Sequence, residues 1–340
     1  MKAVVLVGGF GTRLRPLTLH TPKQMLPVVD RPMIEWVVGH LGRHGIDHAV
    51  LSLGYRPDAF ADAYPDGRCA GVELQYAVED EPLDTAGAIR FAAECAGIRD
   101  RFVVMNGDAL TDLDITALVA FHDRAGAEAT IALHEVPDPS RYGVVATDDD
   151  GRVIAFVEKP PADAAPSNFI NAGTYVLEPS VLDRIDRGRS VSIERETFPS
   201  MVGDRSLFAM PDGGVYWLDA GTPESYLQAQ LDLIEGERAL PAGISLTAVD
   251  PSAVVSSTAS VRSSVLGPDV RVDDDAEVVG SFVQRGAVIE AKARVRDSII
   301  GPGASIGEGA SVESLSVVGD GQRVAAGADL QSTSVPVSDP

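Results

Sequence analysis

Three consecutive stretches near the end of the chain, Ala259–Asp275 (ASVRSSVLGPDVRVDDD), Ala276–Lys292 (AEVVGSFVQRGAVIEAK) and Ala293–Gly309 (ARVRDSIIGPGASIGEG), stack on one another with a period of 17 residues. A looser fourth copy runs from Ala310 to Gly327. Stacking them lines up three aliphatic columns: Val261, Val278, Val295 and Val312; Leu266, Val283, Ile300 and Val317; Val272, Ile289 and Ile306. Inward aliphatics recurring at hexapeptide spacing are the mark of a parallel β-helix, in which each column becomes a buried ladder running from coil to coil. An antiparallel sandwich of short strands is the alternative, and it does not account for one period shared by three columns.

Working back from the repeats, Pro223 opens a helix through Tyr226, Leu227, Leu231 and Ile234 to about Glu237, and Val144 to Leu218 reads as strand-rich. Before that the chain alternates. Lys2–Val7 is a short β-branched run bounded by glycines, as in a strand buried in a parallel sheet. Pro32 suits the first turn of a helix carrying Ile34, Trp36, Val37, Val38 and Leu41, with Gly45 as its stop. Further strands are expected near 48–53, 72–78, 101–106 and 129–136, and helices near 57–63, 85–96 and 114–125. The fold class is therefore α/β: an N-terminal Rossmann-like domain with a mostly parallel sheet over 1–240, a parallel β-helix over 244–330, and a flexible tail over 331–340.

Of 340 residues, 45% are hydrophobic and 23% charged, enough for two domains with full cores. Fifty acidic against 28 basic residues give a net charge of -22, which repels nucleic acid and anionic membranes alike. No stretch approaches the ~20 apolar residues of a membrane span, and a cytoplasmic protein is expected. Two cysteines, Cys69 and Cys95, cannot build a disulfide framework or a zinc site. The only lysines are Lys2, Lys23, Lys159 and Lys292; every other strong cation is arginine.

The first strand runs into Gly8-Gly9-Phe10-Gly11-Thr12-Arg13-Leu14. Such glycines let backbone N–H groups close on an anion, and Arg13 can fork onto phosphate oxygens. The Gly-Lys-Ser/Thr of a Walker A loop and the third glycine of a dinucleotide fingerprint are both missing, and a plain tight turn is the competing reading. In Thr21-Pro22-Lys23-Gln24-Met25-Leu26-Pro27, and again in Phe156-Val157-Glu158-Lys159-Pro160, a lysine is retained where arginine is the rule. That favours a compact point charge on a ligand over a planar fork, against the alternative of a solvated surface lysine. Asp108 and Asp219 stand at expected strand ends, where hard carboxylate oxygens suit Mg²⁺ bridging a nucleoside triphosphate. A helix cap near Thr222 is the competing role for Asp219, and a turn for Asp108; Asp112 and Asp114 read as turn and N-cap residues.

In order along the chain, GGFGTRLRPLT, TPKQMLPV, EPLDTAGA, NGD, DPSRYGVV, FVEKP, INAGTYVL, SIERETFP and DAGTPESYL, followed by the repeats, resemble the sugar-1-phosphate nucleotidyltransferases. Within them the resemblance is greatest to the mannose-1-phosphate guanylyltransferases that end in a left-handed β-helix. The resemblance implies a Mg²⁺-dependent transfer of a nucleotidyl group from an NTP, GTP favoured, to a sugar 1-phosphate. It places Leu6, Gly8, Gly9, Gly11, Thr12, Glu79, Asp84 and Thr85 on the nucleotide, with Arg13 and Lys23 on its phosphates. It places Asp108 and Asp219 on the metal, and Gly143, Glu158, Lys159 and Asn171 on the sugar phosphate. Glu79 favours guanine, whose N1–H and N2–H₂ are adjacent donors that a carboxylate accepts in pairs.

One departure stands out, since Asp84 replaces the family's usual glycine in Pro-Leu-Gly-Thr-Ala-Gly. It is expected to cap the following helix, meet the base, or alter which base fits. A dTTP- or UTP-dependent enzyme acting on glucose 1-phosphate is the runner-up, and a non-catalytic regulatory subunit a further alternative. An acyltransferase is disfavoured, because none of the six histidines lies in the repeats. The β-helix is expected to assemble a homo-oligomer.

Overall fold

The computed structural model describes residues 1–54 and 56–336, which cluster into two compact units. The first holds Met1–Gly9 and Ile34–Trp217; the second holds Phe10–Met33 and Leu218–Pro340. By contacts, the division therefore falls at other places than the boundary expected between 240 and 244: the segment after the glycine turn and the helix Pro223–Glu235 group with the repeats.

In the first unit, strands Lys2–Leu6, His48–Leu53, Val72–Val78 and Phe102–Asn106 pair in parallel in the order 72–78, 48–53, 2–6, 102–106. The runs Lys2–Leu6, His48–Leu53 and Phe102–Asn106 are largely buried on both faces, which is why they read as continuous apolar stretches, whereas Val72–Val78 alternates and leaves Glu73 and Val78 exposed. Helices Met33–Arg43, Asp58–Ala63, Asp84–Cys95 and Ile115–Ala125 intervene within a residue or two of their expected bounds. Asp114 is the N-cap of the last, accepting Ala117 N–H at 2.9 Å. Beyond Asn106 the sheet changes character. Phe169–Leu177 pairs antiparallel with both Phe102–Asn106 and Ala129–Glu135, and Gly143–Thr147 with Val153–Glu158. The register pairs Leu6 with Ser52 and with Asn106. Gly8, Gly9, Ser52, Glu79 and Asn106–Asp108 are thereby collected at the carboxyl ends of the strands, where open α/β sheets bind ligands.

In the second unit the repeats form three all-parallel five-stranded sheets around one core. The pairs Val261↔Val278↔Val295↔Val312 and Val272↔Ile289↔Ile306 are the expected columns. The middle column needs a correction: Leu266, Val283 and Ile300 are followed by Val318, while Val317 pairs with Ile299. The fourth coil carries one extra residue at its corner, where both Ser314 (φ 58°) and Leu315 (φ 61°) turn left-handed. Its pairs accordingly step by one more, Ile306↔Val324 and Val312↔Leu330. The expected tail is also corrected, since Ser334–Val335 pairs with Val317–Val318 as a further rung; residues 337–340 lie outside the described residues.

The alanines that open each copy, Ala276, Ala293 and Ala310, are buried at the corners, where a larger side chain would not fit a packed coil. Ser264, Ser281, Ser298 and Ser316 form a second ladder, each hydroxyl accepting the backbone N–H one coil on, at 3.0 to 3.2 Å, as far as Thr333. Among the described residues no helix is long and apolar enough to cross a membrane.

Candidate active site

Gly11 adopts φ 59° as it opens the short 3₁₀ turn Thr12–Leu14, a conformation only glycine takes without cost. A Cβ there would meet Thr18 at 3.0 Å and Lys23 at 3.3 Å. Thr18 closes the turn by donating to Gly11 O at 2.7 Å, and Thr12 and Arg13 are left exposed. Lys23 follows Pro22 in a second 3₁₀ turn and is only 7% exposed. Its ammonium stands 3.8 Å from Asp219 Oδ1, so the reading of Lys23 as a solvated lysine does not hold.

Gly221 shows what these groups surround. A Cβ on it would lie 2.7 Å from Asp219 Oδ1, 2.8 Å from a terminal nitrogen of Arg13 and 3.1 Å from Lys23 Nζ. Two cations and a carboxylate thus converge on one bare Cα. Asp219 is not the cap of the next helix, because Thr222 fills that role with a reciprocal capping box to Ser225. Cations for phosphate oxygens beside a hard carboxylate oxygen form a donor set that suits a metal–triphosphate.

The other expected residues lie in the first unit. Gly9 sits at φ 103°, Gly8 is exposed, and Leu6 is half-buried at the end of its strand. Asp108 lies in the turn between Asn106 and the short strand Ala109–Thr111. Glu79 directly follows the strand Val72–Val78, and both its oxygens are engaged: Oε1 accepts Ser52 Oγ at 2.8 Å and Oε2 accepts Leu83 N–H at 3.0 Å. A carboxylate has about four acceptor positions, so each oxygen is fixed in place and keeps capacity.

Asp84 explains its own departure from glycine. It adopts φ 57°, and its Oδ1 accepts Thr85 N–H at 2.7 Å; aspartate tolerates this left-handed conformation where most residues do not. Asp84 is the first residue of the helix Asp84–Cys95, whose N-cap position is Leu83 with no side-chain cap, so the expected capping role is not the one this bond performs. Thr85 Oγ1 is occupied as well, donating to Glu194 Oε2 and accepting from Ile193 N–H, both at 2.8 Å.

Gly143 and Glu158 are partners in register, and a Cβ on Gly143 would reach Glu158 Oε2 at 3.0 Å. Lys159, at φ 49°, pairs with Glu158 at 3.2 Å, and its N–H donates to Tyr142 O. Asn171 bends its strand: Oδ1 accepts Gly173 N–H, and Nδ2 donates to the Tyr175 hydroxyl at 2.9 Å. Gly173, at φ 73°, leaves room for Asn106, whose Nδ2 would be 2.5 Å from a Cβ. Burial pushes the Tyr175 phenol far above its ordinary value, and Glu194, Glu158 and Asp108 add to the shift. Trp217 closes one side, stacked on His134, edge-on to Tyr142, and donating to Ala172 O at 2.9 Å.

A model of the nucleotidyl transferase family matches residues 2–236, and one described as the GMPPB C-terminal domain matches 244–337. The chain belongs to the nucleotidyl transferase family. It is 40% identical to a mannose-1-phosphate guanylyltransferase of Mycobacterium tuberculosis over 298 residues, 84% of this chain and 81% of that one. It is 38% identical to mannose-1-phosphate guanylyltransferase 1 of Arabidopsis thaliana, over 80% of this chain and 76% of the relative. Among solved structures, HddC from Yersinia pseudotuberculosis complexed with GMP-PN matches at 29% identity with a TM-score of 0.58, covering 68% of this chain and 99% of that one.

For this nucleotidyl transferase, sequence reasoning missed Ser52, which orients Glu79, Tyr175, which accepts from Asn171, and Gly221. Gly221 was in view within DAGTP, and a glycine two residues after a candidate carboxylate is the signal that could have found it. Ser52 and Tyr175 sit inside apolar strand runs and carry no local signal.

Proposed function

We propose that the protein joins GTP to mannose 1-phosphate, releasing pyrophosphate and GDP-mannose, as a cytoplasmic enzyme using Mg²⁺. The observation that carries the chemistry is the convergence of Arg13, Lys23 and Asp219 on the bare Cα of Gly221. The names of the relatives that span most of the chain support the choice of guanine and mannose.

The sugar-phosphate oxygen attacks the α-phosphorus in line, and its P–O bond forms as the bond to pyrophosphate breaks. A phosphate monoester dianion is already an adequate nucleophile, so no residue needs to take a proton. Lys23 holds the α-phosphate as a point charge, and Arg13 spreads over the leaving β- and γ-phosphates. Both substrates are polyanions, so neutralisation and alignment supply most of the rate. Among the described residues no three carboxylate, histidine or cysteine side chains gather to hold a metal on their own. Mg²⁺ fits that pattern, because it is usually held by one or two carboxylates plus substrate phosphates. Asp108 and Asp219 are its proposed ligands, and when bound it would offset charge on the triphosphate. Glu79, oriented by Ser52 and Leu83, accepts the guanine N1–H and N2–H₂; Glu158, Asn171 and Gly143 face the sugar, and Lys159 its phosphate. The repeats assemble a homo-oligomer.

GTP labelled at the α-phosphate tests the chemistry. The label is expected to appear in a mannose-containing nucleotide only when a divalent cation is present, and Asp219→Asn is expected to lower turnover by about two orders of magnitude or more. Label that moves in excess chelator, or that never leaves the triphosphate, contradicts the reading.

A further inference from the structure

Glu194 lies in Ile193–Thr197, a five-residue π-helical turn before the helix Phe198–Gly203. Turns of this kind concentrate at functional sites. The segment leading into it is clamped to the start of the helix Asp84–Cys95: Val191 N–H donates to Leu83 O, and Ala86 N–H to Val191 O, both at 2.9 Å. The approach is so close that a Cβ on Gly87 would fall 2.7 Å from Arg189 O. On this rigid base, Glu194 Oε2 accepts hydroxyl bonds from Thr85 at 2.8 Å and from Ser192 at 3.0 Å.

We propose that Glu194 is a specificity-determining residue for the sugar, its carboxylate accepting a ring hydroxyl of the sugar 1-phosphate beside Glu158 and Asn171. This rests on the reading of the site as a sugar-phosphate pocket.

Three observations point the same way. The first is the company Glu194 keeps. The buried Tyr175 hydroxyl, which accepts from Asn171, lies within electrostatic reach of Glu194, Glu158 and Asp108. Glu194 therefore stands among the residues expected at the sugar.

The second is that no ion pair engages Glu194 among the described residues. Arg189, nearby in sequence, is held by Asp186 and Glu196, and Glu158, of the same sign, acts on Glu194. Burial, with Glu158 adding to it, raises the Glu194 carboxyl above the ordinary carboxylate value.

The third is chemical economy. A glutamine could accept the Thr85 and Ser192 hydroxyls through its single carbonyl oxygen, without the desolvation and repulsion that a carboxylate suffers here. An ionisable acceptor kept at such a position suits a ligand rich in hydroxyl donors. Two adjacent carboxylates facing a polyol meet that description.

The test is steady-state kinetics and melting of Glu194→Gln, with Ser192→Ala as a second variant, using mannose 1-phosphate and glucose 1-phosphate as probes. Loss of one charge-assisted hydrogen bond corresponds to about a tenfold effect. Glu194→Gln is expected to raise the KM for mannose 1-phosphate about tenfold, to leave the KM for GTP within about twofold, and to shrink the preference between the two sugars by a similar factor. Its Tm at pH 7.5 is expected to equal or exceed that of the wild type. Ser192→Ala, which removes one of the two bonds holding the carboxylate, should show the same KM split more weakly. An unchanged sugar KM, or a fall in Tm with no change in sugar preference, overturns the proposal and leaves Glu194 a structural acceptor. Should the wild type prefer another sugar 1-phosphate, the mannose assignment fails, and the Glu194 proposal is judged on the KM for that preferred sugar.

Discussion

The Lys23 ammonium stands 3.8 Å from Asp219 Oδ1, and both crowd the Cα of Gly221, where the Arg13 guanidinium also arrives. A single methyl group added at Gly221 would contact all three. Gly221→Ala is therefore expected to lower kcat/KM by about a hundredfold or more through misplacement of the phosphate-binding groups. The Tm should move by only a few degrees. Lys23→Arg should be similarly damaging, because the lysine is 7% exposed and a longer, planar head has no room there. Near-wild-type kinetics for both variants would show that these groups do not act on substrate.

Asp84 carries a left-handed backbone and spends its carboxylate on Thr85 N–H. Replacement by glycine relieves the strain while losing the bond, so Asp84→Gly should change stability by less than ~1 kcal/mol. It should also leave the choice between GTP and dTTP intact. Asp84→Val, which neither tolerates the conformation nor keeps the bond from Thr85 N–H, should cost roughly 1–3 kcal/mol in urea unfolding. A large change in base preference on Asp84→Gly would assign this carboxylate to the base instead.

His122 is fully buried, with Nδ1 2.8 Å from Thr130 Oγ1 and Nε2 3.2 Å from Glu178 Oε1. Burial lowers its pKa below the ordinary histidine value, with Glu178 opposing. The folded protein therefore keeps the ring neutral where the unfolded chain protonates it. Below pH ~6.5 the unfolded state binds more protons, and stability falls with pH until the folded-state pKa is passed. His122→Gln should remove part of that slope in urea midpoints measured between pH 7.5 and 5.5. An identical slope in the variant would rule the ring out as its source.

In the β-helix, Ser281 Oγ accepts Ser298 N–H at 3.1 Å and donates to Val279 O at 2.7 Å. Ser281→Ala leaves a buried N–H unsatisfied, at a cost of about 1–3 kcal/mol. The effect should appear in thermal or urea unfolding, while kcat stays within about twofold. Unchanged stability would mean that water or a shifted corner replaces the hydroxyl.

Much of this architecture was legible in local pattern. Continuous apolar runs such as Lys2–Leu6 and His48–Leu53 mark strands buried on both faces, and the 17-residue repeat marks the coils because burial recurs with it. The slip from Val317 to Val318 was not legible, since one extra corner residue at Ser314–Leu315 leaves the aliphatic pattern nearly intact. Charged site residues announced themselves as rare lysines and strand-end aspartates. Ser52 and Glu194 did not, because their roles come from partners remote in sequence, Glu79 and Thr85. A hydroxyl in an apolar run looks like any other half-polar strand residue until its partner is in view.

The central claim is tested most directly by pyrophosphate release from ATP, GTP, CTP, UTP and dTTP, each paired with mannose 1-phosphate and with glucose 1-phosphate. GTP with mannose 1-phosphate is expected to give the highest kcat/KM, at least about tenfold above every other pair. A preference for dTTP or UTP with glucose 1-phosphate would overturn the base and sugar while leaving nucleotidyl transfer standing. No pyrophosphate from any pair, with nucleotide still bound, would contradict the account as a whole.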